Sequence, residues 1–312
     1  QPDTLKYLRG QLHESVHLTV DHRPDPANHA VLIAGRPTRE QLESSPNLQM
    51  LLIPFAGLPV ETRVLMRDYP QIAVHNLHHN AVPTAEMALA LLMSAARRLI
   101  PSDQRFRQHD WTPRYEPYPS RLLHGKTALI LGYGAVGQHL GAILRVMGMT
   151  VLGIRRRASD AASGIYTLDA LHDLLPRADV LIVALPGTES TEGLLGEREI
   201  RLLPQQSILV NIGRAAIVDQ QALYDALRDG HLFGAGLDVW YNYPPDEASR
   251  VHTPPAGLPF HELDNVVLSP HRGGGGGNAE IEVLRMDALA TMLNSAARGE
   301  PLPNRVDLAA GY

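Results

Sequence analysis

The sequence predicts an α/β protein built on parallel sheets. Short apolar runs typical of buried strands alternate with segments whose apolar residues recur at helical spacing. Glycine, proline and asparagine separate these segments. From about residue 126 to residue 268 the alternation is regular, and strands that alternate with helices form parallel sheets with right-handed crossovers. With 312 residues, the chain has room for two domains, each with its own core.

Composition and charge exclude several classes of protein. Hydrophobic residues make up 44% of the chain and charged residues 20%, which is the balance of a globular protein. The net charge of −5 argues against a protein that binds nucleic acid by neutralising many phosphates. The apolar runs are too short to cross a membrane. We therefore expect neither nucleic acid nor a membrane as a partner.

Cysteine is absent from the sequence, which excludes disulfides, thiolate metal ligands and cysteine nucleophiles. The first residues show no charged-then-apolar pattern of a secretory signal. Both observations fit a reducing, cytoplasmic setting. His75, His78 and His79 suggest a metal cluster, but no acidic residue completes the set nearby, and we expect no metal there.

The first hundred residues contain two predicted strands and one long helix. Residues 29–34 and 48–53 are apolar and are bounded by turn residues, which is typical of buried strands. After Pro83, apolar residues recur at helical spacing, and Pro101 is expected to end this helix. Residues 101–120 are rich in proline and arginine and are expected to form a connecting loop.

The remaining elements follow one another at short intervals. Six strands are predicted, at 127–131, 150–154, 179–184, 207–212, 234–239 and 265–268. Helices are predicted around 140–147 and at 168–175, 197–203, 219–229 and 279–298. Gly230 and Gly299 stand just after two of these helices, where helix ends favour glycine.

A glycine-rich turn follows the predicted strand at 127–131. Residues 132–137 read Gly-Tyr-Gly-Ala-Val-Gly and precede a helix with an apolar stripe, a context that distinguishes a dinucleotide-binding turn from an ordinary structural one. The first glycine permits the tight turn, the second lets a phosphate approach the backbone, and the third lets helix and strand pack closely. We therefore predict a Rossmann-type doubly wound sheet whose pyrophosphate site lies at the helix N-terminus. The residues of this site are Gly132, Gly134, Ala135, Val136 and Gly137.

The residues after the second strand of this unit predict the cofactor. A fold that binds NAD usually places Asp or Glu about 20 residues after the glycines, where it accepts from the ribose 2′-hydroxyl. Here that position is Arg155, followed by Arg156 and Arg157, and the next acidic residue is Asp160. Guanidinium groups pair with a 2′-phosphate, whereas a carboxylate repels it. We predict NADP(H) rather than NAD(H), with a solvated basic turn as the alternative.

Three further segments follow in order, Val-Asn-Ile-Gly-Arg at 210–214, Leu-Asp-Val-Trp at 237–240 and Ser-Pro-His-Arg-Gly-Gly at 269–274. With the glycine turn, the chain from about residue 30 onward resembles the D-isomer-specific 2-hydroxyacid dehydrogenases, which include glyoxylate and hydroxypyruvate reductases, phosphoglycerate dehydrogenases and formate dehydrogenases. The resemblance implies hydride transfer between the cofactor and a 2-hydroxy acid/2-oxo acid pair. It also implies a smaller flavodoxin-like α/β substrate domain and a homodimer.

Two residues have the chemistry that reduction of a ketone needs. The reaction requires a cation at the carbonyl oxygen and the carboxylate, and an acid that protonates the oxygen. Arg214 offers a fixed fork of donors, and His271 exchanges a proton near neutrality. The resemblance implies that these two are the catalytic pair and that Asp238 holds the nicotinamide carboxamide. It further implies cofactor contacts at Pro186, Thr191, Ile212, Gly213 and Gly273.

One departure from the family pattern concerns the partner of the histidine. The family usually has a glutamate five residues after the aspartate of the Leu-Asp-Val motif, and this glutamate raises the pKa of the histidine. Here the position is Tyr243, a neutral phenol. Formate dehydrogenases carry an uncharged glutamine there, so Tyr243 does not exclude activity. Asp246 or Glu247, in the following loop, is an alternative partner for His271.

A second departure lies in Phe-Ala-Gly-Leu-Pro at 55–59. Relatives commonly read Ala-Gly-Val-Gly there and bind the substrate carboxylate through consecutive backbone N–H groups. Pro59 has no N–H, so we expect Gly57 and Leu58 to contact the substrate with one hydrogen bond fewer. Asn80 matches a substrate-contacting asparagine of the formate branch, and a helix cap is its alternative role.

The predicted substrate domain comprises residues 1–100 and is completed by the tail 289–312, and the predicted cofactor domain is 101–288. Two other functions stay open. One is a formate or phosphite dehydrogenase of the same family, which the uncharged Tyr243 does not exclude. The other is a dinucleotide-binding regulator without catalysis, which an intact catalytic pair disfavours.

Overall fold

The computed structural model describes residues 2–20, 28–156 and 163–312. The chain divides into two compact units. Unit 1 comprises Gln1–Asn80 and Gly275–Tyr312, and unit 2 comprises Ala81–Gly274. Each unit contains one parallel sheet, so the predicted α/β fold class is confirmed.

The strands are β1 (Val31–Ile33), β2 (Met50–Ile53), β3 (Ala73–Asn76), β4 (Thr127–Leu131), β5 (Thr150–Ile154), β6 (Ile165–Tyr166), β7 (Val180–Val183), β8 (Ser207–Asn211), β9 (Leu232–Leu237) and β10 (Val266–Leu268). The α-helices are α1 (Pro2–Gln11), α2 (Arg39–Glu43), α3 (Val60–Met66), α4 (Ala81–Arg97), α5 (Leu99–Phe106), α6 (Thr112–Tyr115), α7 (Ala135–Val146), α8 (Leu171–Leu174), α9 (Glu197–Leu202), α10 (Gln220–Arg228) and α11 (Ala279–Ala297). Within the described residues, none of the helices is long and apolar enough to cross a membrane.

The sheet of unit 1 has the order β1-β2-β3, and its strand pairs are parallel. Side chains of β2 alternate between its two faces, as the pleat of a strand requires. Leu51 and Ile53 pack in a core with residues of α2 and α3, whereas Leu52 packs in a core with residues of α1 and α11. Both faces of this short parallel sheet are therefore covered.

The C-terminal segment also belongs to unit 1. Helix α11 packs against α1. Beyond it, the Val306 N–H donates to the Val74 carbonyl at 2.8 Å. The Arg63 guanidinium donates to the carbonyls of Leu308 and Ala309 at 3.0 and 2.7 Å. These bonds tie the tail to β3 and α3.

In the residues of unit 2 that the structure describes, seven parallel strands have the order β10-β9-β8-β7-β4-β5-β6. The chain runs outward from β4 through β5 to β6 and then returns to β7 on the other side of β4. This is the strand order of a Rossmann sheet with a seventh strand added, and its topological switch point lies between β4 and β7. Ligands of such sheets bind beyond the carboxyl ends of the strands at this point.

The two faces of the unit 2 sheet carry separate cores. Ala128 and Ile130 of β4 pack with residues of α4 and α7, whereas Leu129 and Leu131 pack with residues of α8, α9 and α10. Strand β7 alternates in the same way. Because apolar residues stand at successive positions, these strands are buried on both faces, which is typical of a doubly wound fold.

The compact units differ in extent from the predicted domains. Helix α4 packs on β8, β9 and α7, so it lies in unit 2, although the predicted boundary at residue 100 placed it in the substrate domain. Helix α11 lies wholly in unit 1, because it packs against α1. Helix α4 follows a strand of the unit 1 sheet but packs in a core of unit 2, and α11 follows a strand of the unit 2 sheet but packs in a core of unit 1.

Two predictions for the segment after α4 are wrong. Helix α4 ends at Arg97 rather than at Pro101, because Arg98 adopts a left-handed conformation with φ of 49°. Pro101 then lies in the first turn of α5, where a backbone N–H has no helical partner to lose. Residues 101–120 are therefore not a continuous loop, since they contain most of α5 and the whole of α6.

Tyr133, the second residue of the glycine turn, fills the space between α7 and β5. Its side chain is buried, and its hydroxyl accepts a hydrogen bond of 2.8 Å from the Arg145 guanidinium. A Cβ added to Gly141 would lie 2.7 Å from the Tyr133 hydroxyl oxygen, and one added to Gly153 would lie 2.6 Å from its Cγ. The size of Tyr133 therefore requires glycine at both positions.

We predict that Gly141→Ala destabilises the protein, although alanine is the better helix former. The new methyl group meets the Tyr133 ring, and overpacking of this kind costs ~1–3 kcal/mol. This cost exceeds the gain of ~1 kcal/mol that alanine brings to a helix. The matched control is Gly10→Ala in α1, where a Cβ meets nothing within 4 Å and stability should stay equal or rise. Urea unfolding measured by circular dichroism compares the two, and equal effects would contradict the packing argument.

Candidate active site

The three glycines of the turn after β4 have different surroundings. Gly132 has φ of 99°, and a Cβ there would lie 2.5 Å from the Ala184 carbonyl oxygen. A Cβ on Gly137 would lie 2.5 Å from the Gly132 carbonyl oxygen. At Gly134, the N-cap of α7, a Cβ would meet nothing within 4 Å. The first and third glycines thus permit tight packing, and the second leaves space at a helix N-terminus, which fits a pyrophosphate.

Arg155 and Arg156 directly follow β5, the neighbour of β4 in the sheet. The N–H groups of Gly132 and Tyr133 donate to the Ile154 carbonyl at 3.0 and 2.8 Å, so the glycine turn lies next to the end of β5. The Arg155 N–H is fixed in turn by the Tyr166 carbonyl at 3.0 Å. Both arginine side chains are exposed. Arg157 and Asp160, which the sequence also singled out, lie outside the described residues.

Arg214 lies three residues beyond the end of β8, in a turn held by Asn211. The Asn211 side-chain amide donates to the Arg214 carbonyl, and its oxygen accepts the Gly213 N–H, both at 3.1 Å. The Arg214 guanidinium donates to the Gly213 carbonyl at 2.7 Å. A Cβ on Gly187 would lie 2.9 Å from the Arg214 Cγ, so glycine at 187 makes room for the arginine side chain.

Four further predicted cofactor residues lie beside this turn, in the loops after β7 and β8. The Thr191 hydroxyl donates to the Pro186 carbonyl at 2.8 Å, which closes the loop after β7. The Ile212 N–H donates to the Val183 carbonyl at 3.0 Å. A Cβ on Gly213 would lie 2.7 Å from the Leu185 carbonyl oxygen. The structure thus brings Pro186, Thr191, Ile212 and Gly213 to one edge of the sheet.

Asp238, directly after β9, is buried with 2% of its surface exposed. Its carboxylate accepts hydrogen bonds from the Ser269 hydroxyl at 2.5 Å and from the N–H groups of Arg272 and Gly273 at 2.7 and 2.8 Å. Three donors compensate the cost of burying this charge. Asp238 therefore holds the loop after β10, a role that sequence reasoning missed. The Ser-Pro-His-Arg-Gly-Gly motif contains these donors, but only the fold shows where they point.

His271 lies at the centre of this held loop and has φ of 57°, a conformation that residues other than glycine rarely adopt. Such strain is found where the surroundings fix a functional residue. Burial lowers the pKa of His271, and the Arg214 guanidinium lowers it further, whereas the Asp238 carboxylate raises it. The lower pKa means that the imidazole is neutral over more of the pH range than a solvated histidine.

The Tyr243 side chain contacts the His271 ring. Its hydroxyl lies 2.8 Å from Nδ1 of His271. The two sequence alternatives have other partners in the structure, because Asp246 accepts from Ser249 and Glu247 pairs with Arg250. The position that the family usually fills with glutamate therefore does contact the histidine in this chain, through a phenol.

The predicted substrate-binding residues Gly57, Leu58 and Asn80 belong to unit 1. The loop after β2, which carries the first two, is held by the Asn76 side-chain amide, which donates to the Ala56 carbonyl at 2.6 Å. Pro59 is the N-cap of α3. Asn80 directly precedes α4. Because β2 and β3 are parallel neighbours, both loops leave the same edge of the unit 1 sheet.

The three histidines near β3 have separate environments. Nδ1 of His75 lies 2.8 Å from the Pro303 carbonyl, whereas Nε2 of His79 accepts from the Arg285 guanidinium at 3.4 Å. In the part of the chain that the structure describes, no group of three or more histidine, cysteine, aspartate or glutamate residues could hold a metal ion. Burial, aided by the charges of Arg285 and His78, lowers the pKa of His79 to about 4.

The family model for the D-isomer specific 2-hydroxyacid dehydrogenase NAD binding domain matches residues 89–273. This range is more than half of the chain and contains the glycine turn, Arg214, Asp238 and His271. The chain therefore belongs to the D-isomer specific 2-hydroxyacid dehydrogenase family, and the resemblance inferred from the four motifs is confirmed.

Curated relatives with this likeness include two kinds of enzyme. The glyoxylate reductase of Korarchaeum cryptofilum is 34% identical over 231 residues, which are 72% of this chain and 65% of that protein. The D-3-phosphoglycerate dehydrogenase of Mycobacterium leprae is 29% identical over 297 residues, 92% of this chain and 52% of that protein. The chain thus spans less than two thirds of the length of these relatives. Among solved structures, a glyoxylate reductase from Paecilomyes thermophila has a TM-score of 0.68 and 25% identity, covering 86% of this chain and 78% of that one.

We predict that His79 makes the protein acid-sensitive. Its folded pKa of about 4 lies below the value of a solvated histidine, so the unfolded chain binds more protons between these values. The stabilising contribution is complete above pH ~6.5 and is lost as the pH falls towards 4, by up to about 3 kcal/mol at ~1.36 kcal/mol per pKa unit. His79→Gln should flatten the pH dependence of urea unfolding in this range. The exposed His17→Gln is the control, and identical curves for both variants would refute the assignment.

Proposed function

We propose that this protein is a reductase of 2-oxo acids that uses NADP(H). The observation that carries the proposal is the convergence of the site residues at one edge of the unit 2 sheet. The glycine turn follows β4, Arg214 follows β8, Asp238 follows β9 and His271 follows β10. Because these strands are parallel, their carboxyl ends meet at the edge where ligands of such sheets bind.

The residues at this edge match the requirements of carbonyl reduction. Bound NADPH would supply a hydride to the carbonyl carbon. Arg214 binds the substrate carboxylate and carbonyl oxygen through its fork of donors, which orients the carbon and stabilises the charge that develops on the oxygen. His271 then gives the proton that the oxygen takes up. Gly57, Leu58 and Asn80 are the proposed substrate contacts of unit 1, with the N–H of Leu58 as a donor to the carboxylate.

The cofactor would be held by the glycine turn and by the loops after β7 and β8. Gly132, Gly134, Ala135, Val136 and Gly137 would hold the pyrophosphate, because the N–H groups at the start of α7 have no helical partner. Pro186, Thr191, Ile212, Gly213, Asp238 and Gly273 would line the nicotinamide end. Cellular NADP is mostly reduced, which favours reduction of the oxo acid over oxidation of the hydroxy acid.

The preference for NADP(H) rests on Arg155 and Arg156. Their side chains are exposed beside the glycine turn, where a 2′-phosphate would lie. A carboxylate at this position would bind the 2′-hydroxyl of NAD instead. In the sequence, the first acidic residue after the arginines is Asp160. The names of the curated relatives, glyoxylate reductase and D-3-phosphoglycerate dehydrogenase, support a small 2-oxo or 2-hydroxy acid as substrate.

We further propose a cytoplasmic homodimer. The lack of cysteine fits a reducing compartment. Three large side chains of the α5–α6 segment, Phe106, Trp111 and Tyr115, are exposed, and the rings of Phe106 and Trp111 pack edge to face with centroids 4.8 Å apart. Exposed aromatic groups of this kind mark interaction surfaces. Sedimentation equilibrium measures the oligomeric state directly.

Turnover of a panel of 2-oxo acids, with NADPH and with NADH, tests the proposal. Reduction of at least one small 2-oxo acid with NADPH is the expected result. Formate and phosphite belong in the panel in the oxidative direction, because the partner of His271 is uncharged. Activity on formate or phosphite alone would replace the proposed function with a different dehydrogenase. Binding of NADPH without any turnover would favour a regulator.

We predict that Arg155→Ala with Arg156→Ala weakens NADPH binding and leaves NADH binding nearly unchanged. Each charged hydrogen bond to the 2′-phosphate is worth ~1.5–3 kcal/mol, so the Kd for NADPH should rise at least ~100-fold. The charge-matched control is Arg177→Ala with Arg198→Ala, which removes two exposed arginines elsewhere in unit 2. Calorimetric titration measures the affinities of the wild type and of both double variants for NADPH and for NADH. A wild-type protein that prefers NADH, or a double variant with unchanged NADPH affinity, would rule out the 2′-phosphate site.

We predict that Arg214→Lys reduces turnover ~100-fold or more, although the charge is kept. A lysine ammonium cannot reproduce two parallel donors to the carboxylate and carbonyl oxygens. Cofactor affinity should stay near wild type, because the glycine turn and the arginines after β5 are untouched. Arg198→Lys on the exposed face of α9 is the control. Steady-state kinetics with the best 2-oxo acid decide, and comparable turnover in both variants would remove Arg214 from the proposed mechanism.

A further inference from the structure

The hydrogen bond between Tyr243 and His271 is a feature of this chain that the family pattern does not explain. The Tyr243 hydroxyl oxygen lies 2.8 Å from Nδ1, and the two rings are tilted by 55° with centroids 5.6 Å apart. The tyrosine side chain is half-exposed, so it stands at the rim of the site rather than inside the core. Because Nδ1 is occupied by this contact, Nε2 is the ring nitrogen available to a reacting oxygen.

A second hydrogen bond fixes the hydroxyl itself. The Trp240 backbone N–H donates to the Tyr243 oxygen at 3.2 Å, and the Trp240 indole N–H donates to the Ser269 carbonyl at 2.7 Å. Trp240 thus connects the end of β9 to the loop that carries His271. Trp240 therefore contacts both partners, the phenol oxygen through its backbone and the histidine loop through its side chain.

A hydroxyl differs from a carboxylate in the bonds it can make. An ionised carboxylate only accepts, whereas a hydroxyl has one proton to donate and can also accept. With a neutral imidazole whose Nδ1 is unprotonated, the Tyr243 O–H donates to Nδ1. With an imidazolium, or with the neutral form that keeps its proton on Nδ1, the same oxygen accepts the N–H. The contact therefore persists when the ring gains or loses a proton.

Among the described residues, three groups influence the charge of the His271 ring. Asp238 and Arg214 act through space with opposite signs, and Tyr243 acts through the direct contact. Burial raises the pKa of Tyr243, so the phenol is neutral throughout the range in which the histidine titrates. The carboxylate of Asp238 is occupied by the three donors of the loop. Asp246 and Glu247 face Ser249 and Arg250.

We propose that Tyr243 is the positioning residue of His271, which holds Nδ1 in every protonation state of the ring and directs Nε2 to the substrate oxygen without placing an anion against the imidazolium. This inference rests on the proposed function for the identity of the reaction. The proton balance is simple. The imidazolium loses its Nε2 proton to the carbonyl oxygen as the hydride reaches the carbon, the neutral ring keeps its proton on Nδ1 with Tyr243 as acceptor, and solvent restores the Nε2 proton.

A direct consequence concerns the pH range of the reaction. The acid form of His271 is the imidazolium, and within the described part of the chain the side chain in contact with the ring is the neutral phenol of Tyr243 rather than a carboxylate. Reduction should therefore be fastest on the acidic side of neutrality and decline as the pH rises through the pKa of the histidine. A neighbouring carboxylate raises such a pKa by ~1–3 units, so a glutamate at position 243 should move the decline upward by this amount.

The test uses Tyr243→Phe, which removes only the hydroxyl, and Tyr243→Glu, which introduces the anion. Tyr7→Phe, which removes an exposed hydroxyl that donates to Asp287 in unit 1, is the matched control. Nitrogen-15 spectra of histidine-labelled protein, with the His271 signals identified by their loss in His271→Gln, report the state of Nδ1 and the titration of the ring. The pH profile of kcat/KM for 2-oxo acid reduction with NADPH is the second measurement.

The expected result has a different signature for each variant. Tyr243→Phe should change the Nδ1 shift and lower kcat/KM about 3- to 10-fold at every pH, with little movement of the midpoint, because a neutral hydrogen bond is lost. Tyr243→Glu should move both the ring titration and the decline of kcat/KM upward by at least ~1 unit. Tyr7→Phe should leave every measurement at its wild-type value.

Two results would overturn the positioning role. One is an unchanged Nδ1 shift and unchanged kinetics in Tyr243→Phe, and the other is an unchanged His271 titration in Tyr243→Glu. The spectra separate this inference from the proposed function, because they need no substrate. If the spectra change as expected while no 2-oxo acid is reduced by the wild-type protein, the hydrogen-bonding role stands and the proposed reaction is wrong.

Discussion

The hydrogen bonds that the Asp238 carboxylate accepts are the interaction on which the candidate site depends. This buried anion joins the end of β9 to the loop after β10 through one hydroxyl and two backbone N–H donors. The loop can therefore hold His271 at a φ of 57° that it would not adopt by itself. Removing the acceptor would leave buried donors unpaired and would free the backbone. The loop conformation of His271 therefore depends on this carboxylate, and the Trp240 N–H holds the Tyr243 oxygen beside the ring.

Close approach of backbone segments is the second constraint on the site. A Cβ on Gly132 would clash with the Ala184 carbonyl, and one on Gly213 would clash with the Leu185 carbonyl. A Cβ on Gly273 would clash with the Asp238 carboxylate. The carboxyl ends of adjacent strands can meet only if side chains are absent at these points. The N–H groups of these three glycines donate to the Ile154 carbonyl, the Asn211 side chain and the Asp238 carboxylate, so the three serve the packing of the edge, whereas Gly134 leaves space at the N-terminus of α7.

Six of the seven strands that the structure describes in unit 2 could be predicted because they are apolar runs between turn residues, and their parallel arrangement follows from the intervening helices. Strand β6 was missed because it has only two residues. Strand β3 and helix α1 were missed, since Ala-Val-His-Asn is half polar and α1 has a single buried leucine, Leu8. The end of α4 was misplaced because Pro101 is an obvious helix breaker, whereas the left-handed Arg98 leaves no mark in the sequence. The glycine turn and the strand-end motifs identified the candidate site residues. Their hydrogen-bond partners, such as Ser269 for Asp238, depend on the fold and could not be inferred from spacing.

On the proposed function, the charges around His271 make its pKa depend on whether a substrate carboxylate is bound. In the free protein, burial and Arg214 both lower the pKa of His271, and Asp238 raises it. On the proposed function, the carboxylate of a 2-oxo acid pairs with Arg214 and cancels one of the two lowering causes. The pKa of His271 then rises when substrate binds, so the imidazolium forms where it is needed even though Tyr243 contributes no charge. The pH profile of kcat, which reports the complex, would accordingly extend to higher pH than that of kcat/KM, which reports the free enzyme. A glutamate at position 243 would stabilise the imidazolium with and without bound substrate. With the neutral phenol of Tyr243, the pKa of His271 rises only when the substrate carboxylate binds.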